Sequence, residues 1–254
     1  MKKERSFRVF VIYALLFQFA VLISQNKMID SSTATTVKNY NARDATVQVL
    51  VSFAEIDEEH SAMVAYTGTG TIIADINGDV YVLTARHVCT PGPASVAMLY
   101  GMQPTVEIQD VDGEFHDAEI SLISRTDDLC VVKYEPATRE YREVANIAST
   151  PPELDSTVYM YAAPAGFYVP SAITQFTGTF SGNAYVFNES SAVYTMPATG
   201  GSSGAGVVNQ NGEIIGVLHS TLRDFHHISL ASTYEATVDF IEELEVQEQI
   251  IILD

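Results

Sequence analysis

Gly200-Gly201-Ser202-Ser203-Gly204-Ala205-Gly206, running into Val207-Val208, is the stretch that decides how this chain is read. Glycines on both sides of a serine permit a tight turn that exposes the hydroxyl and leaves backbone N–H groups unpaired. Such groups can face a developing oxyanion, where acyl-transfer catalysis gains most of its stabilisation. The residues that follow fit a buried strand. Alone, the composition equally describes a flexible Gly/Ser loop. Two upstream stretches add weight. Ala85-Arg86-His87-Val88-Cys89 and Asp127-Asp128-Leu129-Cys130-Val131-Val132 place a histidine, then a carboxylate, ahead of the serine.

Around these stretches the chain reads as short strands separated by turn signals. Thr46–Phe53 alternates, with Val47, Val49, Val51 and Phe53 on one face of a half-buried strand. Thr69–Ile76 and Asp79–Thr84 flank Asn77-Gly78, a pair suited to a type I′ hairpin turn, and His87 follows directly. Val96–Tyr100, Thr105–Gln109, Glu114–Ser124 and Leu129–Tyr134 complete a first half. A polar, proline-containing stretch from Glu135 to Pro152 separates it from a second. That half holds Thr157–Ala162, Ile173–Phe180, Ala192–Met196, Ala205–Val208, Ile214–His219 and Ile228–Ala231. Ser232-Thr233-Tyr234-Glu235 reads as a capping box for one helix, about 233–246, whose stripe is Val238, Ile241 and Leu244 with Phe240 beside it. The apolar tail Ile250–Leu253 fits either an extra strand or the scar of a longer precursor. The expected fold is all-β: two six-stranded antiparallel β-barrels, about 45–140 and 152–231, with the active site between them and a C-terminal helix.

Lys2, Lys3, Arg5 and Arg8 precede an apolar run from Val9 to Ile23, the pattern of a secretory signal. The run is short for a membrane span, yet no good small-residue cleavage site follows closely. Both a cleaved signal and an uncleaved anchor over residues 1–30 fit, with 31–44 a linker. Either way, the acidic remainder is expected outside the cytoplasm. The net charge of −19 excludes the basic footprint that nucleic-acid binding needs and argues against docking on anionic lipid. No Lys or Arg follows Arg223, and the acidic end reads as a solvated face. Cys89 and Cys130 are too few for a disulfide scaffold. Small buried thiols are the favoured reading, with a bridge as the alternative in an oxidising compartment. Adjacent His226-His227 lacks the spacing of a zinc site, so neither metal nor organic cofactor is expected. Asn188-Glu189-Ser190 has the form of a glycosylation acceptor.

Thr69-Gly70-Thr71-Ile72-Ile73, Leu83–Val88, Asp128–Val132 and Gly201-Ser202-Ser203-Gly204 together resemble the landmarks of trypsin-like serine proteases, closest in flavour to the bacterial high-temperature-requirement group and related viral enzymes. Val158–Gly166 resembles the segment that opens the second barrel there. Asp128 lies 41 residues after His87 and Ser203 lies 75 after Asp128, spacings that suit the family. The resemblance implies a triad. Ser203 attacks the scissile carbonyl, His87 carries the proton, and Asp128 holds the imidazole, with the N–H groups of Gly201 and Ser203 as oxyanion hole. Asp127 is the rival carboxylate; Asp128 fits the family register. His60 and His116 lack this context and read as surface histidines.

Ser202 stands where digestive members carry an aspartate that pairs with a new N-terminus, so activation by that ion pair is not expected. A peptide-binding domain after the helix, as many of the high-temperature-requirement group carry, is not expected. The resemblance places the primary pocket at Pro197–Thr199, His219–Thr221 and near His226–Ile228. Pro197, Thr199, His219, Ser220 and His227 are the named candidates. No carboxylate there favours Lys or Arg. A histidine such as His219 can donate to Glu or Gln in a substrate, and small aliphatic side chains are the other option. The implied partners are polypeptide substrates, with the membrane met only through the N-terminal segment. A catalytically inactive binding module and a self-processing anchored protease are the alternatives to a serine endopeptidase.

Overall fold

The computed structural model describes residues 40–56, 61–92, 104–137 and 142–253. The expected signal or anchor, His60 and the candidate strand Val96–Tyr100 lie outside the described residues. The end of the expected linker is helical: α1 spans Tyr40–Asp44, and Ala42 is buried.

The first barrel is formed by β1 (Thr46–Ile56), β2 (Ser61–Ile76), β3 (Asp79–Thr84), β4 (Thr105–Gln109), β5 (Phe115–Ile123) and β6 (Cys130–Tyr134). They close in the order β1-β2-β3-β6-β5-β4. Val47, Val49 and Val51 are fully buried and Phe53 nearly so, as the alternation in β1 demands. Burial of each such side chain stabilises the fold by about 1.5–3 kcal/mol relative to exposure. The opposite face of β1 is covered too. Gln48 Nε2 donates to the Gly166 carbonyl at 3.1 Å, and the Tyr168 hydroxyl to the Thr46 carbonyl at 2.8 Å. Asn77 and Gly78 both have positive φ (59° and 101°), as a type I′ turn requires.

The second barrel is formed by β7 (Thr157–Ala162), β8 (Thr174–Val186), β9 (Glu189–Tyr194), β10 (Gly206–Val208), β11 (Ile214–Leu222) and β12 (Phe225–Ala231), closed in the order β10-β11-β12-β9-β8-β7. Its core holds Val158, Met160, Tyr194, Met196, Val207 and Ile215. The stretch between the barrels is not a free tether. Ala145 N–H donates to Ile72 O in the first barrel. Ala148 N–H donates to Ile214 O in the second, and Ile214 N–H returns to Asn146 O.

Helix α3 spans Tyr234–Glu248 and begins one residue later than the capping-box reading implies. Thr233 is the N-cap, its hydroxyl accepting from Ala236 N–H at 3.2 Å. Ser232 is committed elsewhere, accepting from Val217 N–H at 2.8 Å and meeting Thr237 Oγ1 at 2.8 Å. Phe240, Ile241 and Leu244 pack into the first barrel's core cluster. The last turn is tied to the same barrel: Glu248 accepts from Ser121 Oγ at 2.8 Å and pairs with Lys133 at 3.6 Å. The tail adds no strand. The N–H groups of Ile252 and Leu253 turn back onto Glu245 Oε1.

Two expectations are corrected here. Cys89 and Cys130 are buried as expected but joined in a disulfide, not free thiols. His116 is no surface residue. It is 7% exposed, its Nε2 meets Asp110 Oδ2 at 2.8 Å, and its ring stacks on Tyr134. The cause is Asp110, a fully buried carboxylate that also takes Arg142 at 3.2 Å and the N–H groups of Asp112 and Glu114. A buried charge persists only when paired and hydrogen-bonded this fully.

Candidate active site

At the end of β3 the chain leaves the sheet through extended Ala85 and coils into the single turn α2, Arg86–Cys89. That turn puts His87 on the surface, its side chain 44% exposed, while Val88 and Cys89 point inward. Asp128 ends the turn between β5 and β6. Ser124 organises this turn, with Oγ accepting from the N–H groups of Thr126 and Asp127. The two segments meet through both oxygens of one carboxylate. Asp128 Oδ2 lies 2.6 Å from His87 Nδ1, and Oδ1 accepts the His87 backbone N–H at 2.8 Å. Asp127, the rival carboxylate, binds its neighbour Thr126 Oγ1 at 2.6 Å instead. Burial alone would raise the Asp128 pKa, but the hydrogen bonds from His87 and its charge outweigh burial and leave it below the ordinary carboxylate value. The disulfide sits in register with this pair, two residues beyond each member.

The Ser203 turn is built against the first barrel. Thr69 N–H donates to Ser203 O at 2.8 Å. A Cβ at Gly68 would fall 2.6 Å from a Val88 methyl and 3.1 Å from Ser203 O, so the serine's backbone lies against the residue after His87. Gly204 is equally confined. A Cβ there would meet Thr69 O and Thr84 Oγ1 at 2.1 Å, and φ is +88°. Within the turn, Ser202 N–H donates to Thr199 O, Gly204 N–H to Leu218 O and Ala205 N–H to Ser202 O. The N–H groups of Gly201 and Ser203 have no protein acceptor among the described residues. No hydrogen bond joins Ser203 Oγ to His87 among them either.

Of the expected pocket residues, Pro197 and Thr199 line a cavity of about 230 Å³ with Pro164, Phe176, Ala198 and His226. His219, Ser220 and His227 are not part of its wall. His219 is buried, within electrostatic reach of Asp128 and His87. Its Nδ1 lies 3.0 Å from Ser220 Oγ and 3.5 Å from Glu189 Oε1. Burial lowers its pKa, against the attraction of Glu189 and Asp128. The bridge was the alternative reading of Cys89 and Cys130, and the repeat of the 41-residue spacing between them is the signal that favours it. Nothing local marked Thr69 or Ala163–Gly166 as supports of the serine turn.

Two closed six-stranded barrels, with the His–Asp pair on the first and the serine turn of the second docked against it, define a chymotrypsin-like fold. A family model, the trypsin-like peptidase domain, matches residues 68–217, more than half of the chain, and the protein belongs to that family. Among solved structures it is similar to the serine endoprotease from Yersinia pestis, at a TM-score of 0.59 and 19% identity. That likeness covers 81% of this chain and 66% of that one, and at such identity it speaks for the fold. No curated protein matches the sequence.

Proposed function

We propose that this chain is a serine endopeptidase working through His87, Asp128 and Ser203 and an acyl-enzyme intermediate. The observation that carries the reading is the two-point grip of Asp128 on His87, with ring nitrogen and backbone N–H on one carboxylate. That grip leaves Nε2 as the proton-accepting nitrogen and stabilises the imidazolium formed when the Ser203 proton moves. Ser203 Oγ attacks the peptide carbonyl. The N–H groups of Gly201 and Ser203, which no protein acceptor among the described residues takes up, receive the oxyanion. Collapse of the tetrahedral intermediate expels the amine with the proton from His87, and water then repeats the sequence on the ester. The mechanism needs Ser203 Oγ and Nε2 to meet, and such contacts commonly tighten only with substrate bound.

Polypeptides are the substrates the fold implies. The cavity beside the serine turn is walled by Pro164, Phe176, Pro197 and Ala198 and carries no carboxylate among its lining residues. This supports small or apolar side chains before the cut, and not Lys or Arg. A buried disulfide fits folding outside the cytoplasm, in keeping with the basic and apolar N-terminal segment. The open Ser203–His87 contact favours one second reading, an inactive binding module. A fluorophosphonate probe separates the two. The peptidase labels, and Ser203→Ala abolishes both labelling and turnover of a peptide library. An unlabelled, inactive wild-type chain sinks the peptidase reading.

A further inference from the structure

The serine turn belongs to the second barrel, yet one side chain of the first barrel holds it. Thr69, on β2, is fully buried, and every polar group it owns is engaged. Its hydroxyl accepts from Ala163 N–H at 2.9 Å and donates to Gly201 O at 2.8 Å. Its N–H donates to Ser203 O at 2.8 Å, and its own carbonyl accepts from Thr84 Oγ1 at 2.7 Å, three residues before His87. One residue thus touches the strand leading to the histidine, the turn bearing the serine, and the end of β7.

The peptides on either side of Gly201 decide where its N–H points. Gly200 O is held by Ala165 N–H at 2.6 Å, and Gly201 O by the Thr69 hydroxyl. Gly201 has φ +86°, and a Cβ there would fall 2.4 Å from Ala163 O, so side-chain bulk cannot do the holding. A glycine in this region can rotate its peptides at little cost unless hydrogen bonds prevent it. Rotation here would break one bond or the other and strand a buried polar group.

We infer that Thr69 is a positioning residue for catalysis: its hydroxyl, spanning Ala163 N–H and Gly201 O, keeps the oxyanion-binding N–H groups aimed at the reacting carbonyl. The inference rests on the peptidase reading. Its effect belongs to the transition state, since the oxyanion forms only there, so loss of the hydroxyl lowers kcat more than it raises KM.

The test compares full-length wild type, Thr69→Val and Thr69→Ser on one peptide substrate chosen from the library, well below each variant's unfolding temperature. Thr69→Val keeps the shape without the hydroxyl, and Thr69→Ser restores the hydroxyl. The expected result for Thr69→Val is a kcat at least about tenfold lower, against the hundred- to thousandfold typical of losing an oxyanion donor outright. KM stays within about threefold, fluorophosphonate labelling slows in parallel, and Thr69→Ser recovers most of the rate. If Thr69→Val does not fold, Thr69→Cys takes its place, a thiol being a poor donor. A folded variant without the hydroxyl but with wild-type kcat overturns the inference, as does a folded Thr69→Ser as slow as Thr69→Val. A wild-type chain that never labels overturns the peptidase reading instead, and this inference with it.

Discussion

Gly204 shows how little freedom the site leaves to single positions. A methyl group there would overlap Thr69 O and Thr84 Oγ1 at once, on a backbone of φ +88°. Gly204→Ala is expected to cost about 3 kcal/mol or more and to lower the urea midpoint sharply, or to prevent folding. His219 gives a pH signature. Burial lowers its pKa below the 6.5 of an ordinary imidazole, so the folded chain takes up that proton less readily than the unfolded chain. The stability this represents is fully present above about pH 6.5 and is lost as the pH falls through the window down to the lowered folded value. Urea midpoints measured from pH 8 to pH 5 should therefore fall less steeply in His219→Gln than in wild type. Parallel curves would refute the assignment. As a pocket residue His219 was only partly legible. Its position on a strand after the serine turn could be read, but its burial within electrostatic reach of Asp128 depends on a barrel closing around it.

Among the elements, the disulfide does more than close a loop. Cys89 follows His87 by two residues and Cys130 follows Asp128 by two, so the covalent link joins the two segments whose side chains must meet. Closing a loop of this length stabilises a fold by roughly 2–4 kcal/mol. The double variant Cys89→Ser, Cys130→Ser is expected to unfold about 5–15 °C lower and to lose activity before it loses its strands. Because both sulfurs are buried, a dithiol should leave the native protein active and inactivate it only in moderate urea. Inactivation at the same rate with and without urea would contradict this. The strands show where local reading stops. Thr105–Gln109 and Thr157–Ala162 appear as their β-branched and aromatic residues predict. β8 instead runs on to Val186, six residues past the expected end at Phe180. A register shift between Phe180 and Gly182, with φ +112° at the glycine, carries pairing with β9 past that point. The actual turn uses Phe187 and Asn188 at φ 53° and 68°, and a bulky aromatic gives no signal for that conformation.

At the level of the molecule, the barrel pair and the meeting of His87 with Asp128 were legible because motif order and strand patterning are written along the chain. Thr69 was not, since its bonds to Ala163 and Gly201 span 94 and 132 residues. The net charge of −19 has a kinetic consequence. Substrates carrying basic residues away from the scissile bond should be captured faster than acidic ones, and kcat/KM for them should fall as salt rises from low ionic strength. Salt-independent kcat/KM would show that the field does not reach the cleft.

The stretch that joins the barrels is sewn to both by Ala145, Asn146 and Ala148, and α3 reaches back from the second barrel to clasp the first. Among the described residues, swinging one half away from the other would have to break these bonds and unpack α3.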